Sequence, residues 1–267
     1  MVTGIVTEEG TEKMSVRLLF PTYFFSRNML DPNLDESQGY DLEYNNMLVE
    51  EVKAMRKRDP IGRFVSNAPS AEKQYISGWQ SKDGCETSPI FQKCMNRISK
   101  FFQDEVLPFH GIHNSDGMRL KPSNSWANVN EKGSWNRPHL HNGCWYSGVL
   151  YLQADGDEGN FEAIDKDCKV VSNFPHHQRV RTNFTLQPKT GDIHLFPSGL
   201  MHMVEPNHTD KERYSISFNM EMFDIINGGG KAGDMEGSGN FGQDFSADDY
   251  DINEFVFDLD ERGNPIR

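Results

Sequence analysis

Cysteine is scarce in this chain. Cys85, Cys94, Cys144 and Cys168 are the only four in 267 residues, and no two are spaced as C-x-x-C. That argues against a zinc ribbon or a disulfide framework and leaves reduced thiols as the expected state. Long apolar runs are also missing. None approaches the ~20 residues needed to cross a bilayer, and the first segment, "MVTGIVTEEGTEKMSVRLLF", has acids where a secretory signal would have a continuous apolar stretch. Neither a membrane span nor a leader is expected, and a cytoplasmic location follows. Basic residues are outnumbered, with 27 Lys and Arg against 40 Asp and Glu and a net charge of −13. A nucleic-acid binder needs a basic face, so that class is disfavoured. No internal repeat is present.

What the chain does have is a change of texture part-way along. Residues 1–15 form a polar N-terminal segment. "SVRLLFPTYFFSRNML" has strand-like content broken by Pro21. "DLEYNNMLVEEVKAMRKRD" carries Leu42, Met47, Leu48, Val52 and Met55 near helical spacing, acids early and bases late, and ends at Pro60. "SPIFQKCMNRISKFFQDEVLPF" reads as a second helix, with Ser88 as N-cap, Pro89 at the first position and an apolar stripe of Ile90, Phe91, Cys94, Ile98, Phe101 and Phe102.

From about residue 117, β-rich runs alternate with turns such as "EKGSWNRP", "ADGDEG", "PKTGD" and "NHTDKE". The runs are "RLKPSNSWANVN", "CWYSGVLYLQ", "GNFEAID", "RVRTNFTLQP", "GDIHLFPS", "MHMVEPN" and "RYSISFNMEMF". This spacing predicts a mainly β fold, a β-sandwich or jelly roll, with the N-terminal helices packed on one sheet. The expected organisation is a domain over 16–227, with helical support at 39–110 and a β core at 117–223. A Gly-rich acidic tail over 228–267 follows, in which "INEFVFDL" is a candidate edge strand.

The chemistry concentrates in the β half. In "RPHLHNGCWYSGVLYL", His139 and His141 are two residues apart, and on a strand they would aim at one point. Alone, the pair is as consistent with exposed turn histidines. His202, at the start of a strand after a tight turn in "TGDIHLFPSGLMHMVEPN", is the residue a jelly roll folds back beside them. Two ligands from one strand and one from a distant strand make a facial metal set with open positions. His194 is the competitor, read as structural or as supporting a ligand. In "RYSISFNM", alternation puts Arg213, Ser215, Ser217 and Asn219 on one face and Tyr214, Ile216, Phe218 and Met220 on the other. The helices need the apolar face, so the polar face points into the barrel, where a buried arginine beside hydroxyls is a carboxylate clamp.

With those residues in view, the segments 125–152, 191–207 and 212–219, together with "GWQSKDGCETSPIF" upstream, resemble a group of uncharacterised bacterial and phage members of the Fe(II)/2-oxoglutarate-dependent oxygenases. These have a double-stranded β-helix core, and the prolyl-hydroxylase-like branch is the nearer one. The resemblance covers roughly residues 16–223. It implies that His139 and His202 ligate iron, that Arg213 and Ser215 pair with the 5-carboxylate of 2-oxoglutarate, and that Tyr151 contacts the same carboxylate. Ser147 shares Tyr151's strand face, and Asn128 or Asn130 would line the site. The implied reaction is hydroxylation of a primary substrate, with 2-oxoglutarate and O2 becoming succinate and CO2. The family's usual His-x-Asp or His-x-Glu is His139-x-His141 here. Either His141 is the third ligand, or water takes the position, or an acid from elsewhere, such as Asp192, supplies it; the three-histidine site is the expectation.

Two other classes compete. "GSWNRPHLH" and "GDIHLFPSGLMH" fit cupin spacings, but the cupin pattern wants a glutamate after the histidine pair, and "NGCWY" has none. A non-catalytic jelly-roll assembly protein would suit the acidic tail. The primary substrate, whether peptide, protein or small metabolite, is open, as is homodimerisation. Trp126, Trp135 and Trp145 stand near the expected mouth, where packing is their commoner role.

Overall fold

The computed structural model describes residues 22–63, 78–113, 118–165 and 183–224, with only the backbone of 118–121 and 223–224. The expected polar N-terminal segment, the acidic tail with its "INEFVFDL" strand, and Cys168 all lie outside these residues.

Helix α1 spans Leu42–Arg58. It starts where Asp41 Oδ1 accepts the backbone N–H of Tyr44 at 2.7 Å, and it ends at Asp59, just before Pro60. Its buried stripe is Tyr44, Asn45, Leu48, Val49 and Val52. Leu42 and Met47, expected inside, are exposed, because the stripe turns with the 3.6-residue period and leaves them on the outer flank. Helix α2 spans Pro89–Phe101 and buries Phe91, Cys94, Met95, Ile98 and Phe101. Ser88 does occupy the N-cap position, but its side chain makes no capping bond. A π-helical segment, Phe102–Val106, follows before the short helix α3, Leu107–Phe109. The wider turn precedes Pro108, which has no N–H to continue the regular ladder. Tyr44 joins the two long helices. Its hydroxyl donates to the Ile90 carbonyl at 2.6 Å and accepts the Cys94 N–H at 3.1 Å.

The strands are β1 (Phe25–Asn28), β2 (Trp79–Gln80), β3 (Met118–Asn130), β4 (Asn136–His139), β5 (Tyr146–Gln153), β6 (Phe161–Ile164), β7 (Asn183–Leu186), β8 (Asp192–Pro197), β9 (Met201–Val204) and β10 (Arg213–Asp224). Among the described residues they form two antiparallel sheets, ordered β1-β8-β5-β10-β3-β2 and β4-β9-β6-β7. Every β run read from the sequence contains a strand. Two were missed: β2, in a stretch not read as a strand, and β4, whose start lies in "EKGSWNRP", read as a turn.

One face of the larger sheet is sealed by the helices. Leu48, Val52, Phe91 and Ile98 join Tyr214, Ile216, Phe218, Met220, Leu150 and Leu195 in a single apolar cluster. Full burial of each such side chain stabilises by about 1.5–3 kcal/mol. Asn45 ties α1 to the sheet by donating to the Leu152 carbonyl at 2.7 Å. Gly148 is required beneath this layer, since a Cβ there would sit 2.5 Å from the Phe218 ring. With the apolar face of β10 committed to the helices, alternation turns its polar face toward the smaller sheet.

Candidate active site

The polar face forms a grid. On β10, Arg213, Ser215, Ser217 and Asn219 stand opposite Asn130, Asn128, Trp126 and Asn124 of β3. On the other side, Ser215, Ser217 and Asn219 stand opposite Tyr151, Val149 and Ser147 of β5. The grid is the floor of a cavity of about 350 Å³, whose lining also includes His139, His141 and His202.

The histidines converge from two segments. His139 on β4 is paired directly across the ladder with His202 on β9. His141 lies beyond the end of β4, so it is not on a shared strand face with His139 as the spacing predicted. It is held instead by the turn after β8, to whose Ser198 carbonyl its N–H donates at 2.9 Å. Ser198 in turn donates its N–H to the Trp145 carbonyl and its hydroxyl to the Cys144 carbonyl, closing the loop onto that turn. The outcome is the expected cluster: one ligand atom from each of the three histidines lies within 4.8 Å of the others.

Their protonation suits a metal. Burial lowers the pKa of His139, and it lowers His141 to about 4 and His202 to about 3, with mutual repulsion adding in both. All three are neutral near pH 7. His139 Nδ1 lies 2.6 Å from the Arg137 carbonyl and His202 Nδ1 lies 2.9 Å from the Leu200 carbonyl. A carbonyl only accepts, so Nδ1 carries the proton in both rings and Nε2 keeps its lone pair free for a metal.

Arg213 is the other anchor. It is 1% exposed, and Nη1 donates to the carbonyls of Glu158 at 2.9 Å and Gly159 at 2.8 Å. Its Nε has no hydrogen-bond partner, and no carboxylate among the described residues forms an ion pair with it. Burial lowers its pKa, opposed by Tyr151 and Glu158. A guanidinium nonetheless stays charged at any physiological pH, so the cavity contains a buried cation with no carboxylate in ion-pair contact among the described residues. Asn128 donates to the Ser217 hydroxyl at 3.0 Å and leaves its own carbonyl oxygen unpartnered. Tyr151 is 1% exposed, with its hydroxyl pushed up to about 12 by burial.

Ser147 lies on the expected face but outside the cavity lining, donating to Asn219 Oδ1 at 2.8 Å. Asp192, a candidate metal acid from the sequence, is committed elsewhere. Its carboxylate accepts from Asn28 Nδ2 and from the Lys189 N–H, both at 2.9 Å, and it is not in the lining. His194, read as structural, is buried against Tyr151 and Phe161, with Nδ1 2.9 Å from the Ser26 hydroxyl. Of the three tryptophans, Trp126 lines the cavity, while Trp135 and Trp145 do not. Sequence reasoning missed Arg63 and Gln80 in the lining and the Glu158–Gly159 carbonyls behind Arg213. Neither set has a motif, although "DGDEG" was legible as a turn.

Residues 124–219 match the family described as "Putative 2OG-Fe(II) oxygenase". The matched segment, from β3 to β10, is the part of the chain that is similar to a 2-oxoglutarate–iron(II) oxygenase. Among solved structures, the non-heme alpha-ketoglutarate-dependent epimerase SnoN from nogalamycin biosynthesis aligns with a TM-score of 0.53 at 12% identity, over 75% of this chain and 80% of that one. This is a likeness of fold, and the fold is the double-stranded β-helix. A prolyl-4-hydroxylase of Pseudomonas putida aligns with a TM-score of 0.45 at 15% identity, over 73% of this chain and 91% of that one. HygX of Streptomyces hygroscopicus, solved with nickel and 2-oxoglutarate, aligns with a TM-score of 0.46 at 13% identity, over 74% and 82%. No curated protein matches the sequence.

The description of the matched family names 2-oxoglutarate and iron(II). The side chains present fit both groups: a neutral histidine cluster with free Nε2 lone pairs, and a buried arginine whose Nε has no hydrogen-bond partner and which no carboxylate ion-pairs among the described residues. No helix among the described residues is long and apolar enough to cross a membrane.

Proposed function

We propose that the chain is a 2-oxoglutarate-dependent hydroxylase with a three-histidine iron site. His139, His141 and His202 would hold the metal, and His141 takes the place of the family's usual carboxylate. Arg213 would pair with the distal carboxylate of 2-oxoglutarate, with Ser215, Tyr151 and Asn128 around it and Ser147 holding the floor through Asn219. When bound, iron(II) lets O2 oxidise both 2-oxoglutarate and a substrate C–H bond, giving succinate, CO2 and an alcohol. The protein's part is to fix the two ends of the co-substrate and exclude bulk water. The observation that carries the reading is the buried Arg213, with no carboxylate in ion-pair contact among the described residues, in the same cavity as three neutral histidines. A cupin metal site or a non-catalytic assembly fold gives that arginine no task.

Succinate release from 2-oxoglutarate by the iron-loaded protein tests this. Wild type should release succinate, and Arg213→Ala should bind 2-oxoglutarate roughly 30-fold or more weakly, the usual consequence of truncating a buried charge partner. Absence of 2-oxoglutarate binding at any iron concentration would overturn the reading.

A further inference from the structure

The cavity has a second arginine, which the co-substrate does not need. Arg63 follows the end of α1, and its N–H donates to the carbonyl of Gln80 on β2, at the sheet edge beside β3. Its guanidinium lies over the Trp126 ring, 4.7 Å from the centroid, and close enough to His141 to depress that imidazole. Trp126 and His141 are themselves in contact, with centroids 5.9 Å apart. Arg63, Trp126 and His141 therefore form one wall of the cavity on the His141 side, while Arg213 sits at the Asn130 end of the floor.

Charge decides what this wall is for. Among the described residues the lining contains two arginines and no aspartate or glutamate, in a chain whose net charge is −13. In the usual facial site one ligand is a carboxylate, which subtracts a charge from the metal. Here all three members of the cluster are neutral imidazoles. The 2-oxoglutarate dianion offsets the iron dication and its distal carboxylate occupies Arg213, which leaves Arg63. Among the described residues the one ion-pair partner of Arg63 is the half-exposed Asp83, at 2.5 Å, while its buried Nε has none. An exposed pair of this kind is weak and screened, so the wall keeps a net attraction for anions after metal and co-substrate are in place.

We propose that Arg63, stacked on Trp126, is the anchor for an anionic group on the primary substrate, and that this substrate is a carboxylate-bearing molecule with an apolar part to lie against Trp126. The inference rests on the oxygenase reading. Arg63 is a positioning and specificity residue: it holds the substrate's acid so that another part of the molecule reaches the iron end of the cavity. The Asp83 pair presets the guanidinium and competes with the incoming acid.

The test is calorimetry on the full chain loaded with Ni(II) and 2-oxoglutarate, titrated with 4-phenylbutyrate and with its uncharged match, 4-phenylbutyramide. The acid should bind roughly tenfold tighter than the amide, the difference one charge-assisted hydrogen-bonded pair makes. Arg63→Gln should bring acid and amide to about parity, in a protein that still binds Ni(II) and 2-oxoglutarate. Asp83→Asn should raise acid affinity, which a purely structural Arg63–Asp83 bridge would not do. Equal binding of acid and amide, binding of neither, or an acid preference that survives Arg63→Gln would overturn the assignment. If Ni(II) and 2-oxoglutarate themselves fail to bind, the oxygenase reading falls and takes this one with it. If they bind and the acid preference is absent, only the role of Arg63 falls.

Discussion

His141 departs from the family pattern, and its surroundings allow a direct prediction. Its imidazole is neutral, its backbone is pinned to Ser198, and its ring lies parallel to that of His202, 12° apart in plane. A carboxylate placed at the end of the same pinned backbone would point into the same cluster. His141→Asp should therefore retain Ni(II) binding in calorimetry. His141→Ala should lose at least the roughly 10–100-fold that loss of an outer partner costs a metal site. His202→Ala should lose the metal as well; unchanged metal content in that variant would move the site elsewhere. These roles were half legible beforehand. The identity of the three histidines followed from their order, but the reason His141 converges did not, since it depends on a turn more than fifty residues away in sequence.

At the scale of elements, two local devices hold the site. The first is the α1 cap. Asp41→Ala removes the acceptor for the Tyr44 N–H and should lower stability by about 1 kcal/mol in urea unfolding, with co-substrate binding retained. The second is the 155–159 turn behind Arg213. Gly159 has φ +94°, and a Cβ there would meet the Glu205 carbonyl oxygen at 2.4 Å, while its own carbonyl accepts from Arg213. Gly159→Ala should cost about 1–3 kcal/mol and, unlike Asp41→Ala, should also weaken 2-oxoglutarate binding, because Arg213 loses its seat. The helices and nearly all the strands were readable, since each carries its own period. Strand β4 was not, because its four residues, Asn136–His139, contain a proline and no apolar alternation. It is a strand only because β9 lies beside it.

Across the whole molecule, burying neutral histidines makes stability depend on pH. His194 is the clearest case, since it is outside the metal cluster and its pKa falls from 6.5 to about 4 through burial, with Asp192 opposing. The unfolded chain binds that proton more tightly than the folded one. The contribution is therefore fully present above about pH 6.5 and is lost as pH falls toward about 4, on the order of 3 kcal/mol for this group. Urea midpoints of the metal-free chain should drop across that window, and His194→Gln should flatten the drop. An unchanged slope in that variant would remove His194 as a source.

The sequence by itself determined the class of this protein. Periodicity set the helices and strands, the alternation in "RYSISFNM" set which face of β10 carries Arg213, and the order of histidines, arginine and serine pointed to the site proposed here. These are short-range properties, written in neighbouring residues. Only the tertiary structure decided that His141 reaches His139 and His202 from a loop, that Asp192 faces away to Asn28, and that Arg63 and Gln80 close the cavity. Each of these depends on segments far apart in the chain being brought together by burial. No local pattern encodes that distance, because the free energy that closes it comes from the whole core.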